Sequence, residues 1–149
     1  MLFRSIIGDH YLTSHEVVNS ARFYDTIGRS SFPAGGHHVA SKDTLATPSR
    51  GDVEDAGPIK DGGSHDIPYR CLVPKKVENL LIAGKHISTD RDAYHRFLQQ
   101  TMVTGQAAGV AAGLCIKHGV SPRELEDEKY VKELQAILKE QGAILDGVK

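Results

Sequence analysis

The run Thr104-Gly105-Gln106-Ala107 and the pair Gly84-Lys85, with Ser88 three positions beyond the lysine, are the residues whose types and spacing point to a polar ligand site. Backbone N–H groups at a helix start, together with the positive end of its dipole, attract anionic or electron-rich oxygens. A glycine beside them lets a ligand approach the main chain, and Lys85 supplies a cation. The Ser88 hydroxyl can bond a ligand oxygen or its own backbone. Gln106 can add an amide contact. Each has a plainer reading as well: a helix packed through its glycines, a turn glycine, a solvated lysine and a locally capping serine.

Two elements must position these groups. Asn79-Leu80-Leu81-Ile82-Ala83-Gly84 is a short apolar run closed by glycine, which predicts a buried strand ending in a tight turn. From about Thr101 to His118 the chain reads as a helix rich in small residues, with Thr104, Gly105 and Gln106 in its first turn. Gly105, Gly109 and Gly113 recur at i, i+4 and i+8 and share one face, with Ala108 and Ala112 beside them. Each such glycine costs a soluble helix up to about 1 kcal/mol relative to alanine. Three in one row imply that another backbone, or a flat ligand, comes close.

The rest of the chain sets the frame. Its 149 residues and 40% hydrophobic content suit one ordinary globular domain. A net charge of -1 with 25% charged residues points to no nucleic-acid or membrane surface. Cys71 and Cys115 read as reduced, buried thiols of a cytoplasmic protein. The run from Val103 to Ile116 is too short and glycine-rich for a membrane span, and no signal peptide is evident. Leu2 to Ile7 predicts a strand. Thr13 and Glu16 form a capping box for a short helix from about Ser14 to Ala21, and Arg22 to Ile27 reads as a second strand or extended segment, ended by Gly28. Gly and Pro crowd the segment from about Ser41 to His65, which predicts a loop or linker over 41–66. Gly119 is a helix stop, and Ser121-Pro122-Arg123-Glu124 restarts a helix with a capping box. Val131, Leu134, Ile137 and Leu138 give a last helix, from about Glu128 to Gln141, one apolar stripe. No metal site is predicted: His37 and His38 are adjacent, and His10 and His15 lack ligand spacing. No Ser–His–Asp arrangement or phosphate-binding loop is present, and no side chain is assigned as catalytic.

The runs NLLIAGKHIS and TMVTGQAAGVAAG, with the lead-in HDIPYRCLVPK, resemble the C-terminal flavin-contacting segment of a family of FAD-dependent oxidoreductases. That family includes relatives of the flavoprotein subunit of heterodisulfide reductase. The resemblance implies an α/β fold, an incomplete flavin-binding (Rossmann-like) architecture of C-terminal strand and helices plus a remnant of a substrate domain. It divides the chain into a substrate-domain remnant over 1–40, the linker over 41–66 and the C-terminal part of a flavin-binding domain over 67–149. It implies FAD as cofactor of the complete protein, contacted by Gly84, Lys85, Ser88, Thr104, Gly105, Gln106 and Ala107. Lys85 stands where the family commonly has arginine, which keeps the charge and loses the planar fork. Arg96 would lie towards the active-site side, and Ile67 to Arg70 would pass along the ring system. Family members often carry a four-cysteine iron–sulfur cluster, which two cysteines cannot ligate. The strand–GxGxxG–helix cradle for adenosine and pyrophosphate is missing, since neither Gly35-Gly36 nor Gly62-Gly63 fits it. Weak or absent FAD binding by the chain alone follows, with an N-terminal FAD-binding polypeptide or self-association completing the site. The alternative is a non-catalytic interaction or structural domain that has lost the cofactor.

Overall fold

A computed structural model describes residues 6–34, 58–60, 63–90, 93 and 95–146. It is a mixed α and β structure. Three helices, α1 (Ser14–Val18), α2 (Leu98–His118) and α3 (Glu128–Glu140), pack with a two-stranded antiparallel ribbon of β1 (Thr26–Ser30) and β2 (His65–Pro68). Single turns of 3-10 helix follow β2 at Tyr69–Leu72, form at Gly84–His86, and precede α3 at Glu124–Glu126.

Local sequence explains most of the helix ends. Thr13 Oγ1 accepts from the Glu16 N–H, and the Glu16 carboxylate accepts from the Thr13 N–H at 2.8 Å, closing the capping box. The helix stops at Val18 rather than Ala21, because Ser20 adopts a left-handed φ of 56° that no helix continues through. Gly119, with φ 65°, ends α2 as expected, and its N–H returns to the Cys115 carbonyl. The Ser121–Glu124 capping box forms in both directions but supports only the short turn Glu124–Glu126. In α3 the stripe holds: Val131, Leu134 and Leu138 are buried and Ile137 is partly so. Burying each of the three contributes about 1.5–3 kcal/mol.

Three strand expectations need correction. β1 runs through Gly28 instead of ending there, and β2 begins at His65, inside the segment read as loop. The ribbon has Ser30 opposite His65 and Arg29 opposite Asp66, with an irregularity between Thr26 and Gly28. The apolar run 79–83 forms no strand, and of it only Ile82 is buried, with Leu80 exposed and Asn79 at a left-handed φ of 53°. Its link to the interior is the Ile82 N–H donating to the Leu72 carbonyl at 2.8 Å. A strand exists only where a second segment supplies a ladder, and no described segment does so here beyond that one bond. Likewise Ile6 and Ile7 lie outside any strand, and isolated bridges join Gly8 to Pro74 and Leu12 to Thr89. Residues 1–5, and most of the glycine- and proline-rich segment with His37 and His38, lie outside the described residues.

One core joins these elements. Leu12, Ile27, Ile67, Leu72, Ile87, Leu125, Leu134 and Leu138 are fully buried and belong to a single cluster. Gln135 of α3 donates to the carbonyls of Tyr24 and Thr26, fixing α3 against the start of β1. Among the described residues no helix is long and apolar enough to cross a membrane.

Candidate functional site

The Gly84 turn and α2 are joined by a single side chain. Gly84 has φ +69°, a conformation that favours glycine, and its N–H donates to Thr104 Oγ1 at 2.9 Å. Thr104 Oγ1 in turn donates back towards the carbonyls of Gln100 and Thr101, at 3.0 and 3.1 Å. Thr104 is fully buried, so its hydroxyl serves the chain itself. The tie brings Gly84 and Lys85 next to the second turn of α2, with Lys85 exposed.

The start of that helix differs from expectation. α2 begins at Leu98, and the Thr101 N–H already donates to the Phe97 carbonyl at 3.0 Å. Thr104, Gly105 and Gln106 therefore lie within the helix, where their N–H groups serve carbonyls one turn back. The free amides of the first turn are those of Leu98, Gln99 and Gln100. Leu98, Gln99 and Gln100 are good helix formers, and they extend the pattern backwards. Gln100 also anchors the entry: its Oε1 accepts from the Phe97 N–H, and its Nε2 donates to Ser30 Oγ of β1 at 2.9 Å.

The two sides of α2 separate the expected site residues. Gln100, Thr104, Ala107, Ala111 and Leu114 face the interior. Gly105, Gly109 and Gly113 face outward, and a Cβ built at any of them would meet no described atom within 4 Å. Leu98, Met102 and Ile116 flank this open row at 71%, 64% and 85% exposure. Gln106 is half-buried and donates to Gln141 beyond α3 at 3.0 Å. Ala107 is fully buried. Ser88 is also buried, its Cβ packed where Gly8 passes closest, so its hydroxyl is under cover rather than beside Lys85. Of the seven residues named from the sequence, Lys85 and Gly105 are thus exposed, and Gly84 and Gln106 half-exposed. An open hollow of about 390 Å³ lies farther along, beside Ala112, Cys115 and Ile116, about 10 to 17 Å down the helix axis from Gly105.

The interior holds polar groups that sequence reading did not single out as partners. Asp25, fully buried, accepts from the backbone N–H, Nε and Nη2 of Arg70, and the Arg70 guanidinium sits 5.0 Å over the Tyr24 ring. Asp66 accepts from Arg22, Arg29 and the Phe23 N–H. Tyr69, fully buried, donates to the Pro122 carbonyl at 2.9 Å, and burial raises its pKa. These bonds occupy Tyr69 and Arg70 in holding the fold. Arg123 pairs with Asp9 and donates to the Pro74 carbonyl, while burial beside the Asp9 carboxyl lifts Glu126 to about 7. Arg96 is exposed, over the Phe97 ring at 5.3 Å. His65 and His95 meet in the interior. Cys71 is buried, Cys115 half-buried, and both are free thiols with pKa raised by burial. No group of three or more potential metal ligands exists among the described residues.

A family model described as FAD dependent oxidoreductase matches residues 3–138, and the chain belongs to that family. The match covers both the Gly84 turn and α2, the two elements that Thr104 ties together. No curated protein matches the chain. No solved structure matches it either.

Proposed function

We propose that this chain forms the C-terminal, isoalloxazine-side part of an FAD-dependent oxidoreductase site, with kinship to the flavoprotein subunit of heterodisulfide reductase. The open glycine row of α2 carries the reading: the chain's own described residues leave it bare, beside the turn that holds Gly84. When bound, FAD supplies electron or hydride exchange at its ring system. Gly105 and the Gly84 turn would leave backbone open to a planar group. Thr104 positions Gly84 from beneath. Lys85 brings a positive charge to the rim, where it favours an electron-rich oxygen or a phosphate. Gln106 can turn its amide to a ligand by releasing Gln141. Ser88 and Ala107 are buried and would act only through the fold.

The pyrophosphate and adenosine find no glycine-rich cradle in this sequence. The proposed partner is therefore a dinucleotide-binding polypeptide, or a second copy of the chain, that completes the site around the flavin. Flavin fluorescence titration tests the reading. The chain alone should bind FAD weakly, addition of a family-type dinucleotide-binding partner should restore binding, and Gly105→Leu should abolish it. One tightly held flavin per protomer in the chain alone would show that the division of the site is wrong. Restored binding that ignores Gly105→Leu would remove the glycine row from the contact and favour a cofactor-free packing role.

A further inference from the structure

His65 and His95, 30 positions apart in sequence, meet with Nε2 atoms 3.0 Å apart, and each residue is 1% exposed. Their ring centroids are 5.2 Å apart and their planes cross at 80°. That separation is close to the nitrogen gap plus the two ring radii, so the rings point at each other along one line. A straight line suits an N–H···N hydrogen bond. It does not suit a shared metal ion, because an ion midway would be far closer than the about 2.0–2.1 Å of a zinc–imidazole bond. One ring must donate and the other accept, so a single proton lies at the contact.

The pair sits among other links between the same two parts. His65 lies opposite Ser30 in the ribbon, Ser30 accepts from Gln100 of α2, and the Phe32 and Phe97 rings stack with centroids 3.8 Å apart. Together they attach the end of the ribbon to the segment entering α2.

We propose that the His65–His95 pair is an acid-operated latch holding the start of α2 on the β1–β2 ribbon: a second proton at the contact sets two N–H groups against each other and opens it. Burial keeps both rings neutral. It depresses His65 to about 3, with His95 and Arg22 adding to the effect, and His95 to about 4 against the opposing pull of the Ala93 carbonyl. The charged groups on the elements carrying and covering the pair are Arg22 and Arg29, both bound to Asp66, and Arg96 over Phe97. Ser30 and Gln100 are uncharged. In the unfolded chain each histidine takes up its proton near pH 6.5. Between that pH and the folded values the unfolded chain binds more protons. The latch therefore leaves stability intact above pH 6.5 and erodes it as pH falls towards 4. The latch stands independently of the flavin reading, although opening it loosens the helix that carries Thr104.

Histidine ring nitrogen NMR on the intact chain, from pH 7.5 to 4, tests this without any substitution. Single variants His65→Gln and His95→Gln assign the two rings among the eight histidines. The expected result is two rings neutral to below pH 5, one bearing its proton on Nε2 and the other with Nε2 bare. Titration of either ring near 6.5, or Nε2 bare in both, overturns the latch. A second measurement follows the urea midpoint with pH for the wild type and the double variant His65→Gln/His95→Gln, whose amides can still donate and accept. The wild-type midpoint should fall more steeply between pH 6.5 and 4.5, and equal slopes would contradict the proposal. Should the double variant fail to fold, the NMR result decides alone.

Discussion

On one side of α2, Gln100, Thr104, Ala107, Ala111 and Leu114 are buried, with Gln100 bonded to Ser30 of the ribbon and Thr104 to the Gly84 turn. On the other, Gly105, Gly109 and Gly113 stand open between exposed Leu98, Met102 and Ile116. The usual reason for glycine in a helix is close packing within the fold. Here close packing within the fold falls to Thr104, Ala107 and Ala111, while a Cβ added at any of the three glycines would meet no other described element within 4 Å. The contrast is sharpened by Gly28 of β1, where a Cβ would lie 2.4 Å from Val103 Cγ1. That glycine answers to the chain's own core. The α2 row answers to nothing among the described residues.

Substitutions on the two faces should therefore differ in size and sign. The largest effect is expected at Leu114: truncation to alanine should cost about 2–5 kcal/mol in urea unfolding. Ile116→Ala, two positions along and 85% exposed, should stay within about 0.5 kcal/mol. Next comes Gly28→Ala, whose new methyl collides with a branched side chain and should cost about 1–3 kcal/mol by thermal or urea melts. Thr104→Val keeps the shape but removes the acceptor for the Gly84 N–H. Its cost should be about 1 kcal/mol, the lower end of the range because Gly84 is half-exposed. An amide resonance of Gly84 that exchanges faster in Thr104→Val would locate that loss.

What the sequence disclosed was what local rules decide. The Thr13–Glu16 box, the Gly119 stop and the α3 stripe rest on residues within a few positions of one another, and all three form. The start of α2 lies ahead of the small-residue run because Leu98-Gln99-Gln100 have good helix propensity and no Ser, Thr, Asp or Asn directly precedes them to mark the boundary. The strand expected over 79–84 failed because its existence depended on a partner that no local pattern reveals. Ser88 reads in sequence as a hydroxyl for a ligand or for its own backbone, and its burial involves Gly8, 80 positions earlier, which passes against it. His65 and His95 carry no spacing signal at all. The row of glycines was legible as a stripe, but whether the fold itself consumed it needed coordinates.

The most direct measurement is the stability of the chain carrying Gly105→Ala, Gly109→Ala and Gly113→Ala together. If the row is reserved for something outside the described fold, alanine should raise helix propensity without a clash. The urea-derived stability should then increase, by up to about 1 kcal/mol per site. A loss of stability in the triple variant would mean that the chain itself needs those surfaces bare, and would contradict the account.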